Sequence, residues 1–162
     1  MRHRVSSLVR AEVGTQMTLS IHEPQRPLGR DVTVDFIRGQ LTLTRTDKQI
    51  LATGALSSSV AVECVRCLEI FHLPLQLQVE ELFALSPGPA PIDPVYAVDW
   101  DGTLDLAPVI CDQILLALPI GSVCRPDCRG LCPNCGQNLN EGRCDCHDES
   151  ADPRLAALQA LL

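Results

Sequence analysis

Aromatic side chains are scarce in this chain: Phe, Tyr and Trp together make 3% of its 162 residues, with a single Trp and a single Tyr. Stacking successive nucleobases needs several such rings, so composition argues against a general single-strand binder. Positive charge is also short. Thirteen Lys and Arg stand against twenty Asp and Glu, a formal net charge of −7, and such a chain is a poor generic ligand for phosphate. The four histidines, at positions 3, 22, 72 and 147, form no paired general-base arrangement. The sequence has no G-x-S-x-G, no G-x4-G-K-[ST] and no H-E-x-x-H. Neighbouring carboxylates, Glu80 with Glu81, Asp99 with Asp101 and Asp148 with Glu149, read as solvated faces or caps, because spacing alone does not bring two carboxyl groups around a bond. No enzyme and no small-molecule substrate are expected. Apolar runs are too short and interrupted to span a bilayer, so no membrane association is expected. The opening MRHRVSSLVRAEVG lacks the apolar stretch of an export signal. The expected setting is cytoplasmic, where thiols stay reduced.

What the chain does have is cysteine: nine residues, six of them within Cys124 to Cys146, CRPDCRGLCPNCGQNLNEGRCDC, and an isolated C-x2-C upstream at Cys64 and Cys67. Two residues between cysteines let the backbone turn tightly enough to aim both sulfurs at one ion about 2.3 Å away, with turn amides donating to the thiolates. Gly130 and Gly136 supply positive φ, Asn134 and Asn138 add turn propensity, and Pro133 pre-sets the backbone. Eight cysteines in four close pairs fit two structural zinc ions. Cys132, Cys135, Cys144 and Cys146 read as one self-contained site, since a short loop closes cheaply. Cys64, Cys67, Cys124 and Cys128 then form a second site that ties the end of the chain to its middle. The rival division, with Cys124, Cys128, Cys132 and Cys135 sharing one ion, stays open. Disulfides are the main competitor and fit poorly with a chain that is not exported; ferredoxin spacings are missing. Four thiolates also close the coordination shell, which disfavours a hydrolytic zinc. His147 is either an alternative ligand or a solvated residue.

Around these cysteines the pattern is mostly strand. Ser6 to Glu12 predicts a short helix capped by Ser6 and ended by Gly14. Thr15 to Ile21 alternates, as do Val32, Val34 and Phe36, then Leu41 and Leu43; Asp47 and Lys48 mark a turn, and Ile50 to Leu56 and Val60 to Glu63 continue as strand. Phe71, Leu73, Leu75, Leu77 and Val79 alternate after the first cysteine pair, and Pro74 places that strand at an edge or a bulge. Ser86 to Pro94 is a proline-rich connector, and Val95 to Trp100 a short strand, with Tyr96 and Trp100 expected in core or edge packing. A helix over about 105–118, capped by Asp105 and stopped by Pro119, carries Leu106, Val109, Ile110, Ile114 and Ala117 on one face; Cys111 is a small helix residue there. Asp152 and Pro153 open a last helix with Leu155, Leu158, Leu161 and Leu162 in a stripe.

The expected class is α+β: an antiparallel β-meander or barrel-like sheet packed by one main helix, with a C-terminal cysteine-rich zinc knuckle. The expected divisions are a mainly β domain over 1–123, the knuckle over 124–150 and a helix over 151–162. Taken together, VECVRCLEIF, LDLAPVICDQILLALP, the C-x3-C-x3-C-x2-C-G knuckle with NLNEG, and the closing DPRLAALQALL resemble the YceD-type family of large ribosomal RNA subunit accumulation proteins. The resemblance runs from about Val5 to Leu162. It implies a cytoplasmic bacterial or plastid protein needed for normal levels of large-subunit ribosomal RNA, with no established enzymatic activity. The partners implied are ribosomal precursor RNA or proteins of ribosome assembly and processing, reached mainly through protein contacts. Arg66, Arg125, Arg129 and Arg143 gather near the cysteines, either to offset thiolate charge or to touch RNA locally. A thiol-based or zinc-responsive switch, and a nucleic-acid-processing enzyme without a recognised motif, are the alternative functions.

Overall fold

The computed structural model describes residues 1–29, 32–85 and 96–146. Strands dominate them: β1 (Arg2–Arg4), β2 (Gln16–Glu23), β3 (Arg26–Pro27), β4 (Thr33–Arg45), β5 (Gln49–Glu63), β6 (Ile70–Ala84), β7 (Tyr96–Ala97) and β8 (Thr103–Asp105). Among the described residues two helices join them, α1 (Ser6–Val9) and α2 (Ala107–Ala117). The main sheet is open and runs β2-β4-β5-β6-β7, with β3 on β4; β2 and β5 pair antiparallel to β4, and β7 pairs parallel to β6. β1 and β8 make a separate antiparallel pair. The expected mainly antiparallel sheet with one principal helix is what forms, as a meander and not a closed barrel.

Period-two alternation fixes which side chains are covered. Leu41 and Leu43 of β4, Ile50, Ala52 and Leu56 of β5, and Leu75, Leu77, Val79 and Phe83 of β6 are buried in one core with Leu106, Val109, Ile110 and Ile114 from α2 and the residue before it. The expected series Val32, Val34, Phe36 is broken after Val34. The β4–β5 register shifts between Val34 and Phe36, so Ile37 becomes fully buried and Phe36 turns partly outward beneath the Arg38 guanidinium. Ser58, itself buried, donates its hydroxyl to the Phe36 carbonyl at 2.7 Å beside that shift. Gly39 and Gly54 lie diagonally across the same hairpin, Gly39 opposite Leu56 and Gly54 opposite Leu41, with φ of 151° and 155°. An added Cβ on either would sit 2.3 Å from a carbonyl oxygen of the opposite strand, so the two strands approach each other only because both positions are glycine.

Pro74 stands where β6 has no outer neighbour among the described residues, since β7 reaches only Phe83 and Ala84, in keeping with a residue that cannot donate to a ladder. The first helix is shorter than expected and begins one residue earlier in role: Val5 is its cap, and the Ser6 hydroxyl donates instead to the Asp101 carbonyl at 3.2 Å. Leu106 occupies the cap of α2, yet Asp105 still serves the helix end by accepting the Ala107 N–H at 2.9 Å. Ala117 is exposed, because α2 ends there and its buried stripe closes at Ile114. Trp100 is 88% exposed, against the expectation of packing, whereas Tyr96 lies against Phe83 with ring centroids 5.7 Å apart.

The chain divides into two compact units, Met1–Val62 with Phe71–Ile120, and Glu63–Ile70 with Gly121–Leu162. The strand connection carrying Cys64 and Cys67 therefore groups with the later cysteines and not with the sheet it interrupts. The expected C-terminal helix over 151–162, His147 and the connector from Ser86 to Pro94 lie outside the described residues.

Candidate metal centre

Two turns in the smaller unit repeat one backbone pattern. The N–H of Cys64 donates to the Glu69 carbonyl at 2.9 Å and that of Cys132 to Gln137 at 2.8 Å; Leu68 returns a bond to Cys64 and Gly136 to Cys132, each at 2.9 Å. The pattern needs positive φ just after the second cysteine, 73° at Gly136 and 60° at Leu68. Leu68 is the one non-glycine residue with positive φ among the described residues, so this turn holds a strained position that the sequence does not advertise.

These turns bring the eight cysteines into two groups, Cys64 with Cys67, Cys124 and Cys128, and Cys132 with Cys135, Cys144 and Cys146. The rival grouping of Cys124, Cys128, Cys132 and Cys135 does not form. Within each group the sulfurs all lie within 4.8 Å of one another, and each group can hold a metal ion. Cys64 and Cys128 are 3.8 Å apart and Cys67 and Cys124 3.7 Å. Four sulfurs placed tetrahedrally about 2.3 Å from a zinc ion would be separated by about 3.8 Å, so the donor set fits the ion in number, chemistry and spacing. Amides favour thiolate here. N–H groups of Cys135 and Asn134 bring the Cys132 thiol down to about 6. Burial pushes the Cys64 thiol up, but N–H groups of Cys124, Cys67 and Arg66 outweigh it and bring it to about 6 as well. The Cys146 thiol is pushed up to about 12 by its bond to Cys135 and by the charge of the neighbouring sulfurs, since close sulfurs cannot all carry unshielded charge.

Asn140 and Glu69, which the sequence did not single out, join Asn138 and Gly130, read there only as turn residues, around the first group. Asn140 donates its amide to the Cys128 sulfur at 3.4 Å, and its carbonyl oxygen accepts the Arg129 N–H at 2.9 Å. Asn138 holds Asn140 through its own carbonyl oxygen and donates to Glu69 at 2.8 Å. Gly130 has a φ of 74°, and a Cβ there would sit 2.9 Å from the Arg66 carbonyl, which already accepts the Leu131 N–H at 3.0 Å. The signal was the NLN run between two cysteines, legible as turn propensity but not as a sulfur donor. Arg66 donates to the Cys128 carbonyl at 2.9 Å and Arg125 pairs with Asp127 at 3.7 Å; the sulfur donors identified are amides. The two groups differ in cover: Cys64, Cys67 and Cys128 are buried, while Cys135 and Cys146 are exposed. Cys111 belongs to neither group. It sits on α2 with burial pushing its thiol up, as a packed helix residue would.

The family model for large ribosomal RNA subunit accumulation protein YceD matches residues 52–162. An uncharacterised protein of Mycobacterium tuberculosis is 34% identical over 151 residues, 88% of this chain and 72% of that protein. The uncharacterised protein YlbN of Bacillus subtilis is 29% identical over 117 residues, 71% of this chain and 67% of its own. A chloroplastic homolog 1 of Arabidopsis thaliana, named large ribosomal RNA subunit accumulation protein YCED, is 34% identical over 64 residues, 34% of this chain and 20% of that protein. No solved structure matches the chain. Because the matched region takes in more than half of the chain and every cysteine of both groups, the paired four-sulfur unit is part of what the similarity covers, and the chain belongs to the YceD family.

Proposed function

We propose that the protein is a non-enzymatic cytoplasmic factor that supports accumulation of large-subunit ribosomal RNA, by assembly or processing, and that two structural zinc ions shape it. The observation that carries the reading is the pair of four-cysteine groups at tetrahedral sulfur spacing in a chain of this family. A zinc ion bound by four thiolates has no open position for substrate or water, so its chemistry is that of a cross-link. Cys64, Cys67, Cys124 and Cys128 would join segments far apart in sequence, and Cys132, Cys135, Cys144 and Cys146 would close a loop. The acidic balance supports protein contacts as the main ones, with precursor RNA reached locally. The test is depletion of the protein in growing cells with the ratio of mature large-subunit to small-subunit RNA as readout. The ratio should fall and be restored by the native chain but not by a Cys64→Ser, Cys132→Ser double variant. An unchanged ratio overturns the reading.

The exposure of Cys135 and Cys146 favours one second reading, a thiol switch. Hydrogen peroxide would take two electrons from two thiolates of that group, giving a disulfide and two waters once two protons are supplied, with release of the metal. Retention of both metals at peroxide levels that oxidise free cysteine would dismiss it.

A further inference from the structure

The chain's single tryptophan is a surface residue. Trp100 is 88% exposed, although an indole that stabilises a core is ordinarily covered. The turn that presents it is firmly held. Gly102 donates to the Asp99 carbonyl at 2.9 Å, Asp99 to Thr103 at 2.8 Å, and Val5 to Gly102 at 2.8 Å. Asp101 Oδ1 accepts the Thr103 N–H at 3.0 Å, and Gly102, with φ of 76°, leaves no room for a Cβ against Ser6. Trp100 borders a cavity of about 150 Å³ whose other lining includes apolar Val9, Leu85 and Val98 and charged Asp101 and Arg10.

We infer that this cavity receives an arginine side chain from a basic partner protein. A guanidinium is planar and stacks on an indole face, its methylene stem is apolar like Val9, Leu85 and Val98, and its charge suits Asp101. Asp99 is already engaged by Arg2 and Arg10 sets a positive charge in the same lining as Asp101, so the local attraction rests chiefly on the indole face, while the field of the whole chain, at −7, draws basic segments and repels phosphate. Arg10 is the one basic side chain among the described residues lining the cavity, which is thin support for a nucleic-acid backbone there. A fixed turn with an exposed Trp also loses little freedom on binding, as an anchor residue should. The inference deepens the protein-partner side of the proposed function and rests on it.

Because Trp100 is the chain's one indole, its fluorescence reports on the site directly. The metal-loaded full chain is titrated with an acetylated, amidated (Gly-Arg)4 peptide, its lysine counterpart, and octauridylate, at two salt concentrations. Binding of labelled (Gly-Arg)4 to variants is read by anisotropy. The arginine peptide should change the emission saturably, more strongly than the lysine peptide, and more weakly at high salt. Trp100→Ala should weaken labelled-peptide binding about tenfold and Trp100→Phe less, with Asp101→Asn losing about threefold. Equal binding by native protein and Trp100→Ala would overturn the inference, as would an unresponsive indole or an emission change at lower octauridylate than peptide concentration. Metal content and ribosomal RNA levels in the depletion experiment are read separately, so the inference can fail while the proposed function stands.

Discussion

Asn140 shows how one side chain can serve a site without being a ligand. Its amide is aimed at Cys128 and its carbonyl at the Arg129 N–H, so it orients a sulfur and ties the loop between Cys135 and Cys144 to the first cysteine group. Asn140→Ala should lower retention of one metal ion per chain by roughly 10- to 100-fold in a chelator competition, the usual scale for a lost partner of a ligand. Undiminished retention would show the contact to be incidental. Asp35 carries a different burden. Its carboxylate accepts the Ser59 hydroxyl and contacts His72 Nδ1, each at 2.7 Å, and the Ser59 bond above all holds it below the usual carboxylate range. With the folded value depressed, its contribution is present above the unfolded carboxylate pKa and is lost as pH falls through the folded one. Asp35→Asn should therefore cost about 1 kcal/mol at neutral pH and nothing at strongly acid pH, in denaturant melts at matched salt.

At the scale of elements, three residues with left-handed backbone make different demands. Gly136 has open space where a Cβ would go, Gly130 has the Arg66 carbonyl at 2.9 Å, and Leu68 already carries a side chain there. Gly136→Ala should cost only the backbone term, about 1 kcal/mol, and Gly130→Ala distinctly more. Leu68→Gly should be close to neutral, because relief of strain offsets the added chain entropy. Equal destabilisation by the two alanine variants would sink this account. In the long β4–β5 hairpin, Gly39→Ala or Gly54→Ala forces a Cβ onto a facing carbonyl, and each should cost about 3 kcal/mol or more in unfolding free energy.

For the molecule as a whole, the decisive quantity is metal content. Purified under reducing conditions, the protein should carry two zinc ions per chain bound by sulfur, and Cys64→Ser should carry one. Since ligands must lose protons to bind, both ions should leave as pH falls, the turns around Cys64 and Cys132 loosening with them in amide exchange. Eight thiolates would contribute −8 and two dications +4, taking a chain loaded in this way from −7 to −11. Binding of the isolated protein to bulk RNA should then be weak at physiological salt. Tight, steeply salt-dependent binding to large-subunit RNA fragments would show that electrostatics at this scale do not govern it.

The sheet, its principal helix and the gathering of cysteines were legible because each rests on local periodicity: period two in β5 and β6, the 3.6 spacing of Leu106, Val109, Ile110 and Ile114, and the short intervals between sulfurs. Sequence spacing also favoured the grouping of Cys64 and Cys67 with Cys124 and Cys128, but only by assigning the remaining sulfurs. Three-dimensional folding decided the rest. A register shift turned Phe36 outward, which no alternation pattern announces. Gly39 and Gly54, each set against a carbonyl of the opposite strand, allow the approach of β4 to β5, a property of two strands together. Asn140 reached the Cys128 sulfur from a later loop and Asn138 reached Glu69 from the far end of the chain, and Trp100 was left outside by a turn fixed through Ser6 and Val5. Local pattern encodes what one segment does with its own side chains; which distant group meets which is settled only when the segments pack.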